Sequence, residues 1–223
     1  MIDSDTLASR GFVVAPGLLD PADCRALAGL WPEKPCFRSH VVMQRHGFGQ
    51  GEYQYFAYPL PERIEALRQA LYPELAVVAN RWKAELGEAK RFPPSLQGWL
   101  RQCHAGGQKR PTPLLLRYGP GDYNCLHRDL YGELVFPLQA TVLLSDPARD
   151  FDGGEFMLVE QRPRMQSRGE VVPLKQGDAV IFAVNERAAK GTRGFHRTAM
   201  RHGVSSLRAG ERFTLGIIFH DAA

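Results

Sequence analysis

LLLRYGPGDYNCLHRD, residues 114–129, marks the point where the chain changes character. The apolar run LLLRY is closed by a turn built from Gly119, Pro120, Gly121 and Asp122, and a second extended piece follows. Beyond it, short apolar pieces alternate with turns: LVFPLQATVLLS, EFMLVE, GEVVPL, DAVIFAV and RFTLGIIFH, with DGG and QGD between them. Crossover helices have no room here, so the pattern predicts a sandwich or barrel over 114–220 rather than βαβ units. The second piece also carries chemistry. Alternate side chains of a strand share a face, so His127 and Asp129 should point together while Arg128 turns away. Such a pair can orient one another, relay a proton or hold a metal, and taken alone it also reads as a structural hydrogen bond inside a sandwich.

Upstream, the signals are helical. GFVVAPGLL (11–19) reads as a short strand and turn. After it, Asp20 can cap a helix, Pro21 suits the first turn, and Asp23 lies near the positive end. This helix is expected to reach about Trp31, with Ala22, Ala26, Leu27 and Leu30 in one stripe. Strand-like pieces at Val41–Met43 and Tyr53–Tyr58 flank the glycines of HGFGQG. A second helical stretch starts near Pro61, with Leu67, Leu71, Leu75, Val78, Trp82 and Leu86 at near-helical intervals, and Pro73 is expected to break or kink it. Within 87–113 no element stands out, and QCHAGGQKRPTP (102–113) reads as an exposed loop anchored by Trp99 and Leu100. Neither a linker nor a repeat divides the chain, so one domain over 1–223 is expected, with 1–113 supporting a core at 114–220. The fold class is mixed α/β, with N-terminal helices covering one face of a β-sandwich.

Composition narrows the classes. With 44% hydrophobic and 23% charged residues in 223, the chain can bury a sizeable core. No apolar run approaches the roughly 18 residues of a membrane helix, so no membrane partner is expected. MIDSDTLASRGF lacks the basic-then-apolar order of a signal peptide, which points to the cytoplasm. Cys24, Cys36, Cys103 and Cys125 form no CxxC pair and read as free thiols. No heptad or long exposed apolar helix demands a partner, so monomer is the default. The net charge of +4 permits an anionic partner without establishing one. Its distribution is more suggestive: between Glu186 and Arg212 stand seven basic residues and two acids. That bias fits either a solvated, mobile loop or a phosphate-facing patch.

A histidine, an aspartate and a second, distant histidine are the ligand set of non-haem Fe(II) sites, which keep open coordination positions. His202 can supply the second imidazole, and Arg212 follows ten residues later in a strongly strand-like run. Two neutral imidazoles and one carboxylate around Fe(II) leave net positive charge, which favours an anionic chelating cosubstrate. The fork of Arg212 would match its far carboxylate, and Tyr118 could add a hydroxyl. His196 competes with His202, but position 206, ten residues on, is serine. His220 shares strand parity with Arg212 and reads as a core or strand-end histidine. Gly153 and Gly154 supply a tight turn, Glu155 reads as structural or near the entrance, Arg117 as solvent-facing, and Asn124 as a weak candidate for ordering the loop before His127.

RYGPGDYNCLHRD, FDGGEF, LKQGDAVIF and HGVSSLRAGER together resemble the 2-oxoglutarate and Fe(II)-dependent oxygenases with a double-stranded β-helix (jelly-roll) core. The likeness covers most of 114–220, with a weaker echo in GFVVAPGLLDPADC. It implies that His127, Asp129 and His202 ligate iron, that Arg212 clamps 2-oxoglutarate, and that Tyr118 assists the clamp. The implied chemistry is oxidative decarboxylation of 2-oxoglutarate by O₂, giving succinate and CO₂, coupled to hydroxylation of a second substrate.

The whole-chain pattern looks closest to the bacterial branch proposed to repair alkylated DNA by oxidative demethylation. The implied partner is damaged DNA, preferably single-stranded or with the base flipped from the stack. Phe48, Tyr53, Tyr55 and Tyr131 are candidates for stacking on that base, or ordinary packing. The entrance is expected to be formed by 37–58, 95–113 and 186–201. A protein side chain or a small metabolite is the alternative substrate, because one core serves all of these. A non-catalytic sandwich that binds without turnover is the alternative of a different class.

Overall fold

The computed structural model describes residues 2–223. Among these, two antiparallel sheets face each other, and helices cover the outer side of the larger. Its seven strands run in the order Phe12–Ala15, Ala179–Ala183, Leu138–Leu143, Arg212–Ile218, Leu114–Tyr118, Glu52–Phe56, Phe37–Val42. The second sheet runs Arg168–Val172, Phe156–Gln161, Gly194–Val204, Tyr123–His127, Gly49–Gln50, and Glu186–Gly191 pairs with Gly194–Val204 as a hairpin. A short ladder joins Leu207–Gly210 to Phe151–Gly153. Neighbouring strands are mostly distant in sequence, as in a jelly roll. The expected α/β sandwich is what forms.

The period-two pattern decides which side chains reach the interior between the sheets. In Leu138–Leu143, the residues Leu138, Ala140 and Val142 join the helix-side core, while Gln139 and Thr141 face the other way. Arg212–Ile218 does the same: Leu215 and Ile217 face the helices, and Arg212, Thr214 and Gly216 face inward. At the far end, Val180 and Phe182 meet Phe156, Leu158 and Val172 of the opposing sheet.

The helices are α1 (Ser4–Arg10), α2 (Pro21–Ala28), α3 (Glu62–Glu85) and α4 (Leu96–Ala105). In α2, Asp20 caps by accepting from the Asp23 amide at 2.8 Å and Pro21 occupies the first turn, as expected; the helix ends at Ala28, three residues short of Trp31. The α3 helix runs through Pro73 without dividing into two, so of the expected break or kink the break does not occur. Proline in a helix costs about 3 kcal/mol. Pro73 faces solvent, where the freed carbonyl can be hydrated, and Leu71, Tyr72 and Leu75 on either side are buried. Each such side chain contributes about 1.5–3 kcal/mol, so burial outweighs the break.

Two further expectations are met only in part. The run 102–113 is loop from Gly106 onward, but its first four residues close α4, which is capped by Ser95 accepting from the Gly98 amide and buries Leu96, Trp99 and Cys103 at helical spacing. The run Glu186–Arg212 is not a mobile loop: it forms three strands and the start of a fourth. Three of its seven basic residues are paired within the molecule. Arg187 is buried against Glu160 at 2.6 Å, Arg197 pairs with Glu88 and Glu186, and Arg208 pairs with Asp152. No described helix is long and apolar enough to cross a membrane.

Candidate metal centre

Cross-strand register brings the two histidines together. His202 lies opposite His127 where Gly194–Val204 pairs with Tyr123–His127, and their ring centroids are 4.2 Å apart. The register shifts directly after His202. Gly203 is required there, because a Cβ at that position would lie 2.7 Å from the Asn124 carbonyl oxygen.

Asp129 arrives differently. The strand ends at His127, so the alternation expected to align His127 with Asp129 does not extend to the carboxylate. It sits in the loop beyond, 8% exposed, with Oδ1 3.3 Å from His127 Nε2 and Oδ2 3.3 Å from His202 Nε2. Tyr131 donates its hydroxyl to Oδ1 at 2.8 Å, and Gln139 donates its amide to Oδ2 at 2.9 Å. One ligand atom from each of His127, Asp129 and His202 falls within 4.8 Å of the others.

The protonation pattern suits a cation. His127 Nδ1 lies 2.7 Å from the Cys125 carbonyl, which can only accept, so this nitrogen carries the proton and Nε2 turns its lone pair toward Asp129. Burial works to lower the His127 pKa, but Asp129 outweighs it and the value is raised. Burial likewise opposes ionisation of Asp129, yet the two imidazoles hold its carboxyl well below the usual range. His202 is pushed down, first by burial and then by repulsion from His127. A lone pair and a carboxylate face each other at close range, which a proton or a divalent cation would relieve. A His₂Asp donor set with His127 partly open to solvent fits Fe(II).

Arg212 and Tyr118 lie directly opposite each other on neighbouring strands of the large sheet and line the same cavity as the three ligand candidates. The cavity measures about 210 Å³. The Arg212 side chain is 1% exposed, and its Nε and Nη1 have no hydrogen-bond partner among the described residues. Its guanidinium lies 5.6 Å from the Tyr118 ring, and burial draws its pKa down to about 10. Tyr118 is pushed up to about 12, also by burial, so its hydroxyl stays protonated; Asn124 donates to it at 3.3 Å. The glycine turn shapes this corner. Gly154 has φ +62°, and a Cβ there would come within 2.9 Å of Arg212 Cδ.

The remaining candidates separate. His196 pairs with Ala189 toward the far end of its strand, away from the cavity. His220 is buried, accepts from the Phe136 amide, and has its pKa lowered to about 4 by burial. Glu155 accepts from Ser205 and lines a neighbouring cavity, and Arg117 pairs with Glu211. Of the aromatic residues, Phe48 and Tyr53 line the site; Tyr55 does not, and the Tyr131 hydroxyl is committed to Asp129. The expected entrance segments 95–113 and 186–201 contribute no lining residue, whereas Arg128, Leu130 and Tyr131 do. Gln139 went unread in the sequence, although a lone amide in LVFPLQATVLLS was a visible signal.

A family model described as "Oxygenase, catalysing oxidative methylation of damaged DNA" matches residues 51–222. Two uncharacterised proteins from strains of Mycobacterium tuberculosis are 54% identical over 168 residues, 75% of this chain and 72% of theirs. Among solved structures, an oxidoreductase of the 2OG-Fe(II) oxygenase family from Burkholderia pseudomallei aligns with TM-score 0.53 at 17% identity, covering 99% of this chain and 91% of that one. A Trichoplax adhaerens prolyl hydroxylase, solved with a hypoxia inducible factor peptide fragment, gives 0.57 at 13% identity, covering 96% and 84%. These likenesses are of fold. The family match reaches further, since it spans both histidines, the aspartate and the buried arginine: the chain belongs to this oxygenase family and is a 2-oxoglutarate- and Fe(II)-dependent oxygenase.

Proposed function

We propose that this protein hydroxylates N-linked methyl groups of alkylated DNA bases, with His127, Asp129 and His202 holding Fe(II) and Arg212 gripping the far carboxylate of 2-oxoglutarate. The observation that carries the site assignment is a buried guanidinium with two unpartnered nitrogens, sharing one cavity with a His–Asp–His donor set. When bound, Fe(II) with 2-oxoglutarate and O₂ supplies the oxidising power that puts one oxygen atom into succinate and the other into a C–H bond.

The chain's own residues bind, orient and exclude water. Two neutral imidazoles and one carboxylate leave a divalent ion with net positive charge, which draws in a dianion. Arg212 offers that dianion a rigid pair of donors in a dry setting, where a charge-assisted hydrogen bond is strong. Tyr118 keeps its proton at physiological pH and can donate to the same carboxylate. Leu114, Leu116, Phe156 and Val204 line the walls and keep water from the reacting centre. His127, whose side chain is 34% exposed, marks the open side, with Phe48 exposed on the same rim.

The substrate assignment rests on the family's description and on that rim; of the seven basic residues in the run Glu186–Arg212, Arg187, Arg197 and Arg208 are paired within the molecule. A cavity of about 210 Å³ takes a base only once it has left the stack, at a cost of a few kcal/mol that unpaired strands reduce. Hydroxylation of the methyl carbon gives N–CH₂OH; the C–N bond then breaks, nitrogen takes up a proton, and formaldehyde leaves. The test is to incubate iron-loaded protein and 2-oxoglutarate with methylated single-stranded oligonucleotides. Formaldehyde should match succinate in amount. Cosubstrate turnover with a peptide or metabolite, and no formaldehyde above an unmethylated control, overturns the DNA reading.

A further inference from the structure

Asp129 lacks the support the two histidines enjoy. His127 and His202 stand on paired strands, but the strand carrying His127 ends there, and the carboxylate depends on side chains to hold it. Gln139 is buried and Tyr131 half-buried. Tyr131 donates to one oxygen and Gln139 to the other. The Gln139 amide nitrogen also lies 3.4 Å from His202 Nε2. The Tyr131 hydroxyl is directed at Asp129 Oδ1, and Gln139 is 3% exposed on the inner face of Leu138–Leu143.

The loop is pinned from behind. Gln108, 3% exposed, places its side-chain nitrogen 3.1 Å from the Tyr131 carbonyl and 3.0 Å from that of Leu134, and its oxygen accepts from the Leu134 amide. Gly132, with φ +101°, passes so close that a Cβ would lie 2.6 Å from the Gln108 amide carbon. The Tyr131 ring packs edge-on against Tyr55, 6.1 Å between centroids, and Arg38 lies 4.5 Å from the Tyr55 ring.

We infer that Tyr131 and Gln139 are positioning residues that hold the Asp129 carboxylate, one donor to each oxygen, so that its remaining lone pairs face the space between His127 and His202. The inference rests on the metal-ligand reading of His127, Asp129 and His202. Partners that orient a ligating side chain typically account for 10- to 100-fold in metal affinity.

The experiment measures Mn(II) affinity by the EPR signal of the free ion, alongside melting temperature without metal, for the parent, Tyr131→Phe and Gln139→Leu. Tyr131→Phe keeps the ring and its packing and removes only the donor. Each variant should bind Mn(II) at least 10-fold more weakly while the fold persists. Of the kinetic constants, kcat should fall, with the KM for 2-oxoglutarate little changed because Arg212 is untouched. A lowered melting temperature with Mn(II) affinity within twofold of the parent assigns the two residues to packing and overturns the inference. If the parent binds Mn(II) no better than Asp129→Ala, the metal reading itself fails and the inference falls with it.

Discussion

Replacing Arg212 with methionine should move stability and cosubstrate affinity in opposite directions. The side chain is 1% exposed, and two guanidinium nitrogens lack partners among the described residues. Burial lowers its pKa from 12.5 to about 10. At about 1.4 kcal/mol per unit, that drop of 2.5 is a penalty of about 3 kcal/mol on the charged form in the ligand-free fold. The sign follows: the folded value is depressed, so the penalty is full at neutral pH and fades only as pH rises from about 10 toward 12.5. Methionine keeps length and apolar volume without the charge, and such replacements often stabilise by 1–4 kcal/mol. The melting temperature of ligand-free Arg212→Met should therefore rise, by about 2–4 °C per kcal/mol in a chain of this size. Binding should suffer. A hydrogen bond to a charged group contributes about 1.5–3 kcal/mol, so the Kd for 2-oxoglutarate should increase roughly 10- to 150-fold. Scanning fluorimetry without cosubstrate and calorimetry with it measure the two effects. A variant that melts lower and binds 2-oxoglutarate within threefold of the parent refutes the reasoning, because Arg212 would then be stabilising the empty fold.

His202→Ala should abolish Mn(II) binding while the chain still melts cooperatively, as read by EPR and circular dichroism; retained affinity places the ion elsewhere. Both imidazoles must be neutral to ligate, and Asp129 raises the His127 pKa above 6.5 against the pull of burial; Mn(II) affinity should therefore begin to fall above pH 6.5 on acidification, and a flat profile from pH 8 to 6 contradicts this. Gly154→Val forces a side chain toward Leu207 and Arg212 at φ +62°, so calorimetry should show weaker 2-oxoglutarate binding, and denaturant melts a loss of about 1–3 kcal/mol. Leu75→Ala, at a fully buried position of α3, should cost about 2–5 kcal/mol in urea denaturation and leave Mn(II) affinity unchanged.

The residues that were legible in the sequence owe their places to local rules. Asp20 and Pro21 start α2 through capping and a fixed φ, and alternation in RFTLGIIFH turns Arg212 inward. What escaped depended on tertiary context. Proline propensity argued for a break at Pro73, and only the core beneath α3 overrides it. Counting charges between Glu186 and Arg212 left a mobile loop and a phosphate-facing patch open; the strands exclude the loop, and Glu88, Asp152 and Glu160, remote in sequence, pair with three of the seven cations. Trp99 lies on a helix rather than anchoring a loop: its spacing from Leu96 and Cys103 is helical, although Gly98 and Gly106 weaken the local propensity. At the site, the pairing of His127 with Asp129 was anticipated for the wrong reason: loop donors, not strand parity, bring the carboxylate in.

The ten-residue interval between His202 and Arg212 has a geometric cause that neither residue carries alone. His202 belongs to the smaller sheet and Arg212 to the larger, so the chain must change sheets between them. Gly203 lets it pass the Asn124 carbonyl, the ladder Leu207–Gly210 with Phe151–Gly153 spans the gap, and at Gly210, φ +80°, any Cβ would lie 2.1 Å from the Asp150 carbonyl oxygen. Arg212 then enters opposite Tyr118 with its side chain directed into the interior. A one-residue slip of Arg212–Ile218 against its neighbouring strands would turn Arg212 toward the helices, where a guanidinium would meet Leu115, Leu215 and Ile217 instead of a cavity. The site thus depends on the crossing and on the parity of that strand together, which bring five side chains scattered over 118–212 to one cavity.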